Sequence, residues 1–263
     1  MMRKIIILLF LMSVNTYSHG LLLFKPLFSN TYEPRNGAFY QFEEDKLRLD
    51  IGASFDFVKL DVLGNKAAIG ADFFTYTRLR HEGNFKFPVE TSDYFFGANY
   101  SMKFDMNMPG YIRFRLAHIS SHLVDGYTNA DYDFIREPIV YSREFVDIVW
   151  AQYLGDFRYY VGVNFIFSTI PDDPNALTPE IGFDYSRELT SWLTFDLGFD
   201  FKLIGIDNIW QGTTVTQVGL TFWPSADYGI FTGLYCYRGR SMHGQFYREY
   251  DDYLGLGLQF IFF

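Results

Sequence analysis

The chain's most constraining feature is a period-two alternation of apolar and polar residues, sustained for a dozen residues at a time. In "KLRLDIGASFDF", Leu47, Leu49, Ile51, Ala53, Phe55 and Phe57 share one face, with Arg48, Asp50, Ser54 and Asp56 on the other. "DYFFGANYSMKFD" sets Tyr94, Phe96, Ala98, Tyr100, Met102 and Phe104 against Asn99, Ser101, Lys103 and Asp105. "DFRYYVGVNFIFS" and "SWLTFDLGFDFKL" repeat the pattern, the second with Leu193, Phe195, Leu197, Phe199 and Phe201 opposite Asp196, Asp200 and Lys202. Successive strand side chains point to opposite faces, so such runs are β-strands with one apolar and one polar face. Strands of soluble sandwiches are shorter, about 5 to 6 residues.

The connections decide the architecture. From the C-terminus backwards they read long (239–250), short (224–226), long (205–211), short (188–190), long (169–177), short (154–155), long (124–136), short (107–110), long (80–92) and short (61–65). Tight turns at one end and extended loops at the other are the wiring of an outer-membrane barrel. Eleven strands follow residue 47, and "GAFYQFE" supplies a twelfth. The expectation is an all-β fold, a closed antiparallel transmembrane β-barrel of about 12 strands, with long extracellular loops and short periplasmic turns. Closure leaves no sheet edge in hydrocarbon. The last strand, "YLGLGLQFIFF", ends in Phe263, as substrates of the barrel assembly machinery commonly do, with its apolar row at Leu254, Leu256, Leu258, Phe260 and Phe262.

The N-terminus agrees. "MMRKIIILLFLMSVNTYSHG" has a basic start, an apolar run from Ile5 to Val14 and then small or polar residues, the layout of a secretory signal peptide over 1–18, cleaved before His19. The apolar run is too short for a membrane helix. Residues 19–35 are expected to form an N-terminal periplasmic segment, and 36–263 the barrel. These features imply a Gram-negative outer membrane, with its lipids as partners. A net charge of -9 argues against nucleic acid. The one cysteine, Cys236, excludes an internal disulfide and reads as a small lipid-facing or packed residue.

Candidate chemistry sits in "RFRLAHISSHLVDG". The outward row Ile112, Phe114, Leu116 continues as His118, Ser120, His122, while Arg113 and Arg115 point into the lumen. The strand runs outward, so these polar residues lie on the outer wall at its extracellular end. A His-x-Ser pair on one strand face spans ~7 Å of backbone, and an imidazole there can deprotonate a serine for attack on an ester carbonyl. In "EPIVYSREFVDIVW", placing Arg143 and Asp147 inside leaves Ser142, Glu144, Val146 and Ile148 outside, so Glu144 is the candidate to orient the imidazole, with His122 or Asp125 as fallbacks.

This local pattern resembles outer-membrane phospholipase A and lipid A deacylase, both of which carry His-x-Ser on an outward face and a partner on the next strand. Both follow the serine with Asn, where this chain has Ser121. Over most of the mature chain, "LFKPLFSNTYEPRNGAFYQ", "HISSHLVDGY" and "YSRE" resemble a bacterial family catalogued as domain of unknown function 1207, which implies an outer-membrane location and no particular activity. In that family the His-x-Ser-Ser-His run continues with Gly, Asp and Glu; here Val124 and Gly126 replace the Gly and the Glu, and Asp125 alone carries the acidic position.

The expected function is an outer-membrane barrel with a candidate serine acyl hydrolase site for outer-leaflet phospholipid or lipid A. The alternatives are a narrow channel and a structural or binding barrel without catalysis. No cofactor is implied. "NADYD" places Asn129, Asp131 and Asp133 like the start of a calcium loop without its downstream Gly and Glu, and so reads as solvated loop. Arg238, Arg240, His243 and Arg248 could meet lipopolysaccharide phosphates, though solvated loop is again the simpler reading. The luminal charges, among them Asp50, Asp72, Arg113, Arg115, Asp147, Arg158, Asp184, Asp200 and Lys202, are of both signs and favour a mostly occluded lumen.

Overall fold

The computed structural model describes residues 22–262 except Met106. The expected signal peptide therefore lies outside the described residues. Twelve strands close into one antiparallel barrel in which each pairs with its sequence neighbours and the first with the last. They are β1 (Asn36–Gln41), β2 (Lys46–Val62), β3 (Asn65–Arg80), β4 (Val89–Phe104), β5 (Gly110–Leu123), β6 (Tyr141–Leu154), β7 (Phe157–Ile170), β8 (Leu177–Thr190), β9 (Leu193–Ile206), β10 (Ile209–Phe222), β11 (Tyr228–Arg240) and β12 (Tyr250–Phe262). No helix among the described residues is long and apolar enough to cross a membrane.

The alternation resolves as the sequence implies. Phe55, Phe57, Leu116, Ile181, Leu256 and Phe260 stand exposed on the outer wall, whereas Arg48, Asp72, Arg115, Asp147, Asp200 and Lys202 are buried inside. Buried charge is tolerable only when paired, and here it is. Arg48 meets Asp50 at 3.0 Å, Arg115 meets Asp147 at 2.9 Å, and Lys202 meets Glu180 at 2.9 Å and Asp200 at 2.6 Å. Aromatic rings fill the space between, including Phe74, Tyr76, Phe95, Tyr141 and Phe145 in one cluster behind β4, β5 and β6.

Two expectations are corrected. The connection expected as a long loop over 205–211 is a two-residue turn, Asp207 and Asn208, with φ of 51° and 62°. Two successive left-handed residues suit the twist of a hairpin, and Asp and Asn tolerate that conformation best after Gly. Replacing Asn208 with Val should lower stability by about 1 kcal/mol through left-handed strain, read as a shift in the urea midpoint.

The second correction concerns the segment before β1, expected in the periplasm. The described part of it folds into the lumen. Leu27, Ser29, Asn30 and Glu33 are buried, the Phe28 N–H donates to Asp184 at 3.1 Å, and Asn30 Nδ2 donates to Glu180 at 3.0 Å. Arg113 donates to Glu33 at 3.0 Å, and Arg158 donates to the carbonyls of Lys25 and Pro26 at 2.7 and 2.6 Å. Wall charges that already pair across the lumen, such as Arg158 with Asp184 and Lys202 with Glu180, take their remaining hydrogen bonds from this strap, so the charges that line the wall also hold the segment in.

The β11–β12 loop stops the long-loop end in the same way. His243, Gln245 and Phe246 are buried, and Phe246 lies between two guanidiniums, with Arg78 at 3.5 Å and Arg136 at 4.1 Å from its ring centre. The basic residues of this region do not share one environment: His243 is buried, whereas Arg238 and Arg248 are exposed and ion-paired. His243 turns inward to Asp93, Arg248 pairs with Asp173 and Asp207, and Arg238 pairs with Asp252.

Candidate functional site

The stretch 118–122 closes β5 at the long-loop end, and its outer face carries His118, Ser120 and His122, while Ala117, Ile119 and Ser121 are buried behind them. Sheet register brings the partner strand to the same place: His118 is the Cα partner of Glu144, and Ser120 of Ser142. The His118 Nδ1–H donates to Glu144 Oε1 at 2.9 Å, with the two side chains 39% and 33% exposed on the outer wall. The Ser142 hydroxyl donates to the same carboxylate oxygen at 2.8 Å.

A β-bulge completes the cluster. The register between β6 and β7 shifts between Glu144 and Phe145, which pair with Ser168 and Ile166. The skipped residue, Phe167, is outward and 53% exposed, and the next, Ser168, is outward too. Without the extra residue, Ser168 would share the inward row of Asn164 and Ile166, so the bulge turns a hydroxyl towards Glu144. Bulges commonly re-aim side chains in this way beside functional sites.

Beside and below these polar groups the wall is apolar: Phe96, Phe114, Leu116, Phe165 and Phe167 are each at least 40% exposed. The Phe96 ring centre lies 6.4 Å from that of His118, and Tyr94 lies 6.0 Å from His122. Behind the site, the stopper loop grips β4 and β5. His243 Nδ1–H donates to Asp93 at 2.8 Å, the Gly244 N–H donates to the same carboxylate at 2.7 Å, and Gln245 Nε2 donates to the Ser121 carbonyl at 2.8 Å. Each anchor adjoins a residue of the outer cluster, so the polar patch rests on a packed interior.

The arrangement has a definite chemistry. With its Nδ1–H held by Glu144, the His118 ring keeps its lone pair on Nε2, the tautomer needed to accept a proton from a hydroxyl. Ser120 lies two residues along the same face, and no hydrogen bond among the described residues occupies its hydroxyl with His118; such contacts often tighten only when substrate binds. Of the fallbacks, His122 flanks Ser120 on the far side, opposite Ser92, and Asp125 sits beyond the strand in the short 3-10 turn Asp125–Tyr127. Sequence reasoning placed Ser142 on the outer wall without a role and did not single out Ser168. The two-residue spacing to Glu144 could have flagged the first, but a bulge leaves no mark in an alternating row. Asn129 Oδ1 accepts the N–H groups of Asp131 and Asp133 at 2.9 and 3.0 Å, which makes "NADYD" a side-chain-capped turn.

Comparison with known proteins adds the family and the fold. A family model described as "Protein of unknown function (DUF1207)" matches residues 11–262. A search of curated proteins returns no match. Among solved structures, an active-site mutant of outer membrane phospholipase A from Escherichia coli is similar with a TM-score of 0.57 at 11% identity, over 91% of this chain and 93% of that one. The outer membrane phospholipase of Salmonella typhi, solved as a dimer with bound calcium, gives 0.55 at 10% identity, over 91% and 94%. At that identity the likeness is one of fold.

Proposed function

The chain belongs to the DUF1207 family, and from the geometry of its outer wall we propose that it is an outer-membrane acyl hydrolase acting on ester-linked acyl chains of outer-leaflet lipids. The observation that carries this reading is the 2.9 Å His118–Glu144 pair facing outward beside Ser120. In this reading the long loops are extracellular, and the polar cluster lies near the headgroups with the Phe96, Phe114 and Leu116 surface as the bed for an acyl chain.

The reaction follows from the roles. Ser120 Oγ attacks the ester carbonyl as its proton passes to His118 Nε2, and the imidazolium is stabilised by Glu144. The imidazolium then returns that proton to the leaving alcohol, which departs as a lysolipid. Water, deprotonated by the same ring, hydrolyses the acyl-serine and releases the fatty acid. The similarity in fold to outer membrane phospholipases supports this class of substrate, and the two plugs in the lumen favour it over conduction.

The test is release of fatty acid from phospholipid or lipid A in mixed micelles by the purified full chain. Release by the unaltered chain supports the reading, and its absence with both lipids would remove it. Glu144→Gln keeps a hydrogen-bonding side chain but removes the charge that stabilises the imidazolium, so the rate should fall on the order of 10²- to 10⁴-fold. Ser142→Ala removes one charge-assisted hydrogen bond to that carboxylate and should cost on the order of 10- to 100-fold, the equivalent of ~1.5 to 3 kcal/mol.

A further inference from the structure

The barrel wall has a notch. β1 pairs with β12 from Asn36 to Gln41, but with β2 only from Gly37 to Gln41, opposite Lys46 to Asp50. Asn36 ends that ladder by donating from Nδ2 to the Gly52 carbonyl and accepting the Gly52 N–H at 3.2 Å. Beyond it, β2 continues to Val62 with β3 on one side and no described strand on the other. The chain that would have continued the wall has turned into the lumen as the strap. In this register β12 ends at Phe262, level with Ala53 of β2, so the notch lies at the short-turn rim: the two strands flank it about 10 Å apart, two sheet spacings, as far as Ala53, and β2 overhangs from there to Phe57 by about 13 Å of strand.

In the membrane placement proposed above, this gap faces hydrocarbon. On its β2 side Phe55 and Phe57 are 54% and 67% exposed, and on its β12 side Phe260 and Phe262 are 54% and 51% exposed. An unpaired strand edge in a bilayer needs polar partners from somewhere. Behind the notch is a cavity of about 980 Å³ whose lining includes these aromatic residues, far more than the ~30 Å³ of a water molecule. Its charged lining is of mixed sign: Asp56 and, in the exposed β10–β11 turn, Asp227 are acidic, while Lys59 and Arg35 are basic, with Arg35 already held by the Phe28 and Asn30 carbonyls. Asp56 is held in place by the Leu23 N–H at 2.7 Å, so the strap fixes one wall of the cavity.

An apolar mouth in the lipid phase leading to a chamber with both signs of charge matches an amphiphile carrying both signs. We propose that the notch is a binding site for a zwitterionic aminophospholipid of the periplasmic leaflet. Its acyl chains lie along the four phenylalanines. Its phosphoethanolamine headgroup enters at the rim beneath the β2 overhang, the ammonium on the Asp56 and Asp227 side and the phosphate towards Lys59. This site is on the opposite half of the barrel from Ser120, and it rests on the membrane placement proposed above but not on any catalytic activity.

Labelling of the unaltered full chain in lipid nanodiscs tests it. Two probes carry a photoactivated diazirine in the headgroup, one on phosphatidylethanolamine and one on phosphatidylglycerol, and adducts are mapped by mass spectrometry. The ethanolamine probe should label the peptide bearing Ser54 and Asp56 about tenfold more than that bearing Ser101, which faces the lumen from an intact part of the wall, and about tenfold more than the glycerol probe does. Asp56→Asn should level the two probes at the notch while leaving labelling there above that at Ser101. Equal labelling of the two peptides, as when the wall is sealed or the notch is filled by residues 1–21 of the chain itself, overturns the site. Equal labelling by both probes in the unaltered chain overturns the headgroup assignment. Neither outcome depends on whether Ser120 hydrolyses anything.

Discussion

Ser120→Ala and His118→Ala should each lower fatty-acid release by roughly 10⁵- to 10⁶-fold, and the double variant should be little worse than either alone, because nucleophile and base act as one unit. The magnitude follows from what each removes. Without Ser120 no acyl-serine forms. Without His118 the hydroxyl keeps its proton, and the Glu144 carboxylate loses the ring it polarises. Both side chains stand on the outer wall, with the paired His118 ring 39% exposed, so neither truncation opens a cavity in the packed interior. The variants should retain the wild-type unfolding midpoint, which separates loss of chemistry from loss of fold. Activity surviving in Ser120→Ala would assign the nucleophile elsewhere, with Ser142 the adjacent hydroxyl to examine.

The second large effect lies inside the cylinder. Arg115→Ala should destabilise the barrel by about 3 to 5 kcal/mol, the usual cost of leaving buried charges unmatched. The Arg115 side chain is fully buried and reaches Asp147 at 2.9 Å, Asp72 at 3.4 Å and Glu33 at 3.6 Å. Removing it leaves three carboxylates to share Arg113, which already serves Glu33 and lies 3.5 Å from Asp147. The readout is the urea midpoint followed by tryptophan fluorescence, with the slope unchanged. Arg115→Met with Asp147→Asn should lose less than the sum of the two single changes, since each then relieves the other. A shift of less than about 1 kcal/mol for Arg115→Ala would mean that water already screens this network, as for surface pairs, and that the lumen is wetter than the packing implies.

Fold and site were legible in the sequence to different depths, for physical reasons. The period of two fixes which residues look outward, and so Leu116, His118 and Ser120 were assigned to the wall from the sequence, as were Arg113 and Arg115 to the lumen. Alternating loop lengths gave twelve strands and the long-loop end. Register was not legible, because each pairing depends on turn geometry at both ends of a hairpin. That His118 faces Glu144 across the ladder could be offered as a candidate but not measured. Bulges hide for the same reason: the extra residue at Phe167 turns Ser168 outward without disturbing any visible pattern. The Asp207–Asn208 turn was misread because polar residues suit both a loop and a left-handed hairpin turn. The strap before β1 was misplaced because its partners, Arg113, Arg158, Glu180 and Asp184, lie 80 or more residues away in the chain.

The central claim is that Ser120 is a nucleophile activated by the outward His118–Glu144 pair. Its most direct test is covalent trapping: incubate the folded chain in micelles with a long-chain alkyl sulfonyl fluoride and map the adduct by mass spectrometry. The account predicts a single sulfonylated serine at Ser120, formed in the unaltered chain and lost in His118→Ala. An unmodified Ser120, or an adduct that forms equally well without His118, would contradict it.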